Sequence, residues 1–219
     1  MEILYLSKKF VVINKPVGMP SQKDPTGAPD AMTLTAEELS LRNQKSTLFL
    51  VHRLDRGVGG VLVFARTKAA AAAFSALLSS DNFVKEYLAI CEGYAEGGTL
   101  TDLIFKDSIT SKAYVVDRLR KGAKEAELSY IPLGFYEGRT LVKVRLKTGR
   151  FHQIRVQFAS RGHSLVGDGK YGNKDNRAKT PALFAHRVAF ECLGECVDVS
   201  IMPDTQKYPF SLFSKELSK

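Results

Sequence analysis

Short apolar runs dominate this chain, each broken within a few residues by glycine, proline or charge. Phe10-Val-Val-Ile13 is apolar at every position and predicts a short buried strand. It ends at the turn cluster Asn14-Lys-Pro-Val-Gly18, and the Pro-, Gly-, Asp- and Lys-rich residues 19–33 predict an exposed loop. Thr35 to Arg42 predicts a short helix capped by Thr35. Val61 to Arg66 predicts a strand. Thr67 then caps a helix running to about Leu78, with Phe74, Leu77 and Leu78 at i, i+3 and i+4. Lys85 to Cys91 predicts a strand ending at Gly93, and further strands are expected around 113–117 and 124–131. Thr140-Leu-Val-Lys-Val-Arg-Leu146 alternates with period 2. After the turn Lys147–Arg150, residues Phe151 to Ser160 suit a helix with Phe151, Ile154 and Phe158 along one side and Gly162 as a stop. Gly167 to Gly172 predicts a loop, and Val188–Phe190 and Cys196–Ile201 predict closing strands.

Many strands with about three interspersed helices imply an α+β domain with a large, mostly antiparallel sheet. No internal repeat or linker interrupts the chain, so residues 1–219 are expected to form a single domain. The 44% hydrophobic content is ordinary for a globular core, but 32 basic against 23 acidic residues leave a net charge of +9. A basic domain of this kind attracts polyanions. No apolar run approaches the about 18 residues of a membrane helix. The N-terminus MEILYLSKKFVVINKP lacks the layout of a secretion leader, so a cytoplasmic protein is expected. Three cysteines, Cys91, Cys192 and Cys196, argue against a disulfide framework. The four histidines have no HExxH or CxxC companions, so no metal site is expected.

One stretch raises a chemical question. Val51-His-Arg-Leu-Asp-Arg-Gly-Val-Gly-Gly60 places a lone carboxylate, Asp55, between Arg53 and Arg56 on a glycine-rich turn at a strand start. By itself this reads as a solvated ion-pair turn or as a catalytic carboxylate held ionised by an arginine, and the first is the commoner feature. Four other segments stand out: Asn14-Lys-Pro-Val-Gly18, Lys85-Glu-Tyr-Leu-Ala-Ile-Cys-Glu-Gly93, Gly149-Arg-Phe-His-Gln-Ile-Arg-Val156 and Gly167-Asp-Gly-Lys-Tyr-Gly172. The last is not a phosphate loop, because G-K-[ST] at a helix start is missing.

Together, and in this order, the five segments resemble the RluA-like family of RNA pseudouridine synthases, over roughly residues 5 to 205. The resemblance implies a long mixed sheet flanked by helices, with a basic cleft across it. The implied reaction detaches uracil from its ribose, turns the base over and rejoins it through carbon, without cofactor or metal. The essential acid then falls on Asp55, the aromatic residue of K-x-Y on Tyr87, and the basic partner of H-Q-I-R on Arg155. Arg53 matches the family arginine beside the acid, which helps displace the target base from its stack.

The residue types suit that chemistry. Cleaving an N-glycosidic bond builds positive charge on the sugar, which a carboxylate can stabilise, attack or relieve of a proton. Asp55 has to stay ionised in a cleft that loses water when RNA binds. Arg155 is the candidate to favour its charged form, since a guanidinium keeps its proton and can hold a carboxylate with two hydrogen bonds. Tyr87 offers a flat face for the freed base. Extracting a uridine costs a few kcal/mol, offset by stacking and phosphate contacts. Lys15, Arg53, Arg56, Arg150, Arg161 and Lys170 are expected phosphate contacts, with His152 a structural or RNA-contacting residue.

The chain departs from the family pattern in places. Val58-Gly59-Gly60 stands where the family has T-S-G, Gln157 and Ser164 stand in His and Pro places, and Phe184 stands where His is common. The catalytic motifs begin within the first 20 residues and no small S4-type RNA-binding module is expected. The implied partner is therefore a compact stem-loop in ribosomal or transfer RNA, met by a monomer. Two rivals compete with the isomerase: a non-catalytic RNA-binding protein on the same fold, and a two-carboxylate glycosidase. The second needs a partner acid for Asp55, and Glu86 alternates to the face of its strand opposite Tyr87.

Overall fold

A computed structural model describes residues 1–78, 80, 82–172, 175, 177 and 178–218. The fold class is the expected one, α+β with a large, mostly antiparallel sheet. Its elements are β1 (Glu2–Leu6), β2 (Phe10–Lys15), α1 (Ala31–Leu41), β3 (Phe49–Leu50), β4 (Gly59–Ala65), α2 (Lys68–Leu77), β5 (Phe83–Glu92), β6 (Gly98–Asp107), β7 (Lys112–Val116), β8 (Ala123–Tyr136), β9 (Arg139–Leu146), α3 (Gln153–Ala159), β10 (Leu183–Cys192) and β11 (Glu195–Ser200). A short 3-10 turn, Phe210–Phe213, and a last helical turn, α4 (Ser214–Leu217), follow. The chain divides into two compact units. One comprises Met1–Lys85 with Ala185–Ile201, the other Glu86–Phe184 with Met202–Lys219.

In the first unit the strand order is β1-β2-β4-β10, with β3 on β4 and β11 on β10. Both β2 and β4 are buried along almost their whole length, which explains why they read as unbroken apolar runs. Alternate residues Phe10 and Val12 of β2 and Val61, Val63 and Ala65 of β4 meet Ala70 and Phe74 of α2 in one core, with Phe83, Val188 and Phe190. Phe74 is its centre. Its ring lies 5.8 Å from Phe10, 4.9 Å from Phe83 and 5.0 Å from Phe190, all tilted or edge-on as aromatic quadrupoles favour. Thr67 caps α2 as expected, its hydroxyl accepting from Ala70 N–H.

Helix α1 begins earlier than its sequence suggests. Asp30, not Thr35, is the cap: its carboxylate accepts from Thr33 N–H at 3.0 Å and from the Thr33 hydroxyl at 2.7 Å. Thr35 lies inside the helix, buried, with its hydroxyl donating back to Ala31 C=O at 2.6 Å. A buried aspartate that satisfies two donors outcompetes the threonine for the cap. The amides of Ala31 and Met32 bond to the carbonyls of Pro20 and Ser21. The preceding segment is therefore not the fully exposed loop its composition predicts.

In the second unit the order is β5-β9-β8-β6-β7, with each neighbouring pair antiparallel. Helix α3 packs through Phe158 against Tyr130 of β8, ring centroids 4.9 Å apart. The C-terminal turn seats Phe213 and Leu217 against Leu88, Ile90, Leu141 and Val166. Cys91 and Cys192 are buried thiols and Cys196 an exposed one. Among the described residues no helix is long and apolar enough to cross a membrane.

Truncating the aromatic hub is the sharpest test of the first core. Phe74→Ala is expected to cost about 3–5 kcal/mol, read as a lower midpoint at unchanged slope in urea unfolding.

Candidate active site

In the first unit the Asp55 loop is held from beneath by the N-K-P-V-G turn. Strands β2 and β4 pair so that Lys15 lies opposite Gly60. From there the two loops interlock. Gly18 N–H donates to Arg56 C=O at 2.8 Å, and Arg56 Nε donates back to Gly18 C=O at 2.9 Å. A tight turn closes by Val58 N–H donating to Asp55 C=O at 3.0 Å. A Cβ on Gly59 would lie 2.8 Å from Val17 Cγ2 and 3.1 Å from Lys15 O. Gly60 has φ +114°, and a Cβ there would run into the Ala185 carbonyl. Packing and backbone together therefore require glycine at Gly60, while Gly59 is closely approached by Val17 and the Lys15 carbonyl.

Two buried polar groups fix the residues flanking Asp55. Ser21 Oγ donates to Leu54 C=O at 2.9 Å and accepts from Leu54 N–H at 3.1 Å, clamping the peptide just before the acid. His52 is half-buried and packs against Phe74 and Phe83, its Nε2 accepting from Val63 N–H at 3.0 Å. Burial, helped by the nearby charge of Lys85, pushes its pKa down to about 3. The histidine of H-R-L-D is thus a neutral acceptor that ties the loop to β4, with no free base function. Asp55 itself is half-buried, between the exposed Arg53 and Arg56.

Lys15 was expected to meet phosphate, and the structure corrects this. The residue has no exposed surface, and its ammonium donates to the carbonyls of Pro16 at 3.0 Å and Met19 at 2.6 Å. Burial pulls its pKa down to about 8, against the opposing pull of Asp55. Lys15 is an internal brace of the turn and a cation within electrostatic reach of Asp55. The motif N-K-P-V-G contains no sign of this, because burial of a lysine depends on the carbonyls that the turn collects around it.

In the second unit Tyr87 sits half-buried on β5, opposite Val144 of β9. Arg155 lies on α3, 8% exposed, in the middle of a dense polar knot. Its Nε donates to Asp168 Oδ2 at 2.7 Å and its second terminal nitrogen to Oδ1 at 2.8 Å. The guanidinium lies 5.1 Å above the Tyr171 ring. The Tyr171 hydroxyl in turn meets His152 Nδ1 and accepts from Ala113 N–H, both at 2.7 Å. His152 stacks on Phe151 and enters α3 from a left-handed conformation, φ 54°. Gln153 holds the turn before it, accepting from Arg150 N–H at 2.9 Å and Thr148 at 2.8 Å and donating to Glu127 C=O at 3.1 Å. Sequence reasoning picked out the segment Gly167–Gly172 but missed Asp168 and Tyr171. An acid in a glycine-rich loop gives no sign of its arginine until the loop is folded.

The remaining expected RNA contacts are unevenly placed. Arg150 uses Nε on Glu125 C=O at 2.7 Å, and Lys170 uses its ammonium on Ser111 C=O at 2.8 Å. Arg161 is gripped by both carboxylate oxygens of Asp102, at 2.9 and 3.1 Å, so much of its charge is already neutralised. Gln157, in the family's His place, is fully buried and donates to that same Asp102 at 2.7 Å. An exposed basic run that sequence reasoning passed over spans the β7–β8 turn and the start of β8: Arg118, Arg120, Lys121 and Lys124, with Arg120 3.8 Å above the Phe105 ring.

Sequence comparison identifies the class of protein to which this α+β fold belongs. A profile described as RNA pseudouridylate synthase matches residues 9–160. The chain belongs to that family. It is 31% identical over 193 residues to an uncharacterised RNA pseudouridine synthase of Bacillus subtilis, covering 86% of this chain and 63% of the relative. It is 31% identical over 201 residues to tRNA pseudouridine synthase C of Vibrio parahaemolyticus, covering 86% and 80%. Similarity to ribosomal large subunit pseudouridine synthase D of Xylella fastidiosa is 35% over 198 residues, covering 84% and 56%. The chain thus spans somewhat under two thirds of the Bacillus relative. Among solved structures, human RNA pseudouridylate synthase domain containing 1 superposes with a TM-score of 0.72 at 27% identity, covering 93% of this chain and 83% of that one.

Two outcomes test the acid loop. Gly60→Ala is expected to destabilise the protein by at least about 2 kcal/mol, since strain and backbone collision add; an unchanged melting temperature would contradict the close approach to Ala185. Lys15 gives a pH signature. Its folded pKa of about 8 lies below the 10.5 of a free lysine, so between those values the unfolded chain holds a proton that the folded chain has released. Stability from this group therefore rises with pH across that window. Urea unfolding of wild type and Lys15→Met, compared at pH values spanning about 8 to 10.5, is expected to show wild type gaining on the variant as pH rises.

Proposed function

We propose that this protein is an RNA pseudouridine synthase that converts a uridine in a folded RNA, a stem-loop of ribosomal or transfer RNA, to pseudouridine. The observation that carries the proposal is the family match across residues 9–160, within which Asp55, Tyr87 and Arg155 all stand in motif places. The relatives include a transfer RNA pseudouridine synthase and a ribosomal large subunit pseudouridine synthase, which supports structured RNA as the substrate class.

The roles follow from the residues. Breaking the bond between N1 of uracil and C1′ of the ribose leaves electron deficiency on C1′ and negative charge on the base. Asp55, on its braced turn, is the carboxylate that meets the sugar. Turning the base brings C5 to C1′; a carbon–carbon bond forms, the C5 proton leaves, and N1 recovers a proton. The sum is an isomerisation that consumes no cofactor. Tyr87 supplies a stacking face for the turning base. Arg155 contributes oriented hydrogen-bond donors, and the exposed Arg53 and Arg56 flank the acid where a displaced base and its phosphates would pass. The exposed run at Arg118, Arg120, Lys121 and Lys124 adds to the positive surface for the RNA backbone.

The test is direct. Purified protein is incubated with bulk RNA from a strain lacking it, and pseudouridine is mapped by carbodiimide modification and reverse-transcription stops. A new stop with wild type is expected, lost with Asp55→Asn by at least about 100-fold, since that change keeps size and removes charge. RNA that is bound but never modified by wild type would favour a non-catalytic RNA-binding protein instead. Release of free uracil would mark hydrolysis.

A further inference from the structure

We infer that Asp168 is a positioning residue that acts through Arg155, making the arginine a guanidinium of fixed plane and not a mobile cation. The inference rests on the functional reading above.

The geometry is that of a clamp. Asp168 is 1% exposed and sends no charge to solvent. Its two oxygens take Nε–H and one terminal N–H of Arg155, at 2.7 and 2.8 Å, in the fork-on-fork arrangement that fixes both position and plane of a guanidinium. Oδ1 also accepts from Lys170 N–H at 3.1 Å, so the carboxylate is itself held from its own loop. That loop is rigid for stated reasons. Gly167 has φ +76°, with the space of a Cβ filled by Thr180 O and Ala178; the Asp168 carbonyl accepts from Gly172 N–H at 2.8 Å; and Gly172 lies against Ser164. The Tyr171 ring lies below the guanidinium, and its hydroxyl is anchored by Ala113 and His152. Arg155 is thus fixed along one edge and one face.

Two consequences follow. A buried carboxylate beside a buried guanidinium makes the pair formally neutral, so Arg155 adds little net positive field. What it offers is direction. Asp168 takes two of the five N–H donors and, in doing so, fixes the plane in which the others lie. An unclamped arginine would lose about 2 kcal/mol of rotamer entropy each time it adopted that pose.

The experiment compares wild type, Asp168→Asn, Arg155→Gln and the double variant on a transcript containing the uridine mapped above. Single-turnover rate at saturating enzyme is measured beside RNA affinity and thermal unfolding. Asp168→Asn is expected to keep the fold and to bind RNA within about 3-fold of wild type, yet to slow the chemical step about 10- to 100-fold, as a misplaced group does. In the Arg155→Gln background the same change is expected to slow it by less than about 3-fold, because the group it aims is gone. Asp168→Glu, which keeps the charge but moves it, is expected to recover part of the rate. Full rate in Asp168→Asn, losses that multiply with Arg155→Gln, or failure of both Asn and Glu variants to fold would each overturn the inference. An active wild type with any of these results leaves the functional reading standing; a wild type that forms no pseudouridine overturns both.

Discussion

The antiparallel pairing of β2 with β4, Phe10–Lys15 against Gly60–Ala65, is the constraint on which the acid-bearing unit depends. It buries two apolar strands on both faces and, at its end, sets Lys15 opposite Gly60. From that last rung the chain leaves β2 through N-K-P-V-G and enters β4 through the Asp55 turn, so the two loops emerge side by side. Their reciprocal bonds between Gly18 and Arg56 are a consequence of the rung. Slipping the register by one residue would exchange the two buried faces of these strands and mismatch the core around Phe74, so the packing that makes the core also fixes where the Asp55 turn leaves the sheet.

This coupling explains why the departure from T-S-G does not dismantle the turn. In this chain Gly59 is pressed against Val17 and the Lys15 carbonyl, and Gly60 adopts a positive φ against Ala185. The glycine pair lets backbones approach closely. The clamp on Leu54 from Ser21, and the bond from Val63 to His52, supply rigidity that the glycines withhold.

Strands and the two best helices were legible in the sequence because local pattern decides them. The apolar runs of β2 and β4, the alternation of β9 and the threonine cap of α2 each carry their own signal. Strand β1 and strand β6 escaped notice because neither keeps a clean period: β6 reads Gly-Thr-Leu-Thr-Asp-Leu-Ile-Phe-Lys-Asp and is recruited by pairing with β7 and β8 on either side. The cap of α1 was misplaced because Asp30 sits inside a run of turn-forming residues that looks like open loop. Of the site, the motif residues were readable through resemblance, while their polar partners were not. Lys15 as a buried brace, Ser21 as a clamp and Asp168 as the grip on Arg155 all depend on groups distant in sequence, and only folding brings those groups to them.

Lys15 and Arg155 illustrate why charge counting misleads. The net charge of +9 suggests cations spread for RNA, yet Lys15 is spent on carbonyls and Arg155 on a carboxylate. In a low-dielectric interior a cation is tolerated only where acceptors surround it, so an internal arginine or lysine arrives already bonded. Under the proposed function, phosphate attraction falls to the exposed set, Arg53, Arg56 and the basic run between β7 and β8, whose charge is screened by salt and acts by steering. The interior set, under the same proposal, acts by direction. Removing an exposed arginine should weaken RNA binding and flatten its salt dependence, whereas removing an interior partner should leave binding and slow the step that follows it. That division separates affinity from catalysis by depth in the fold.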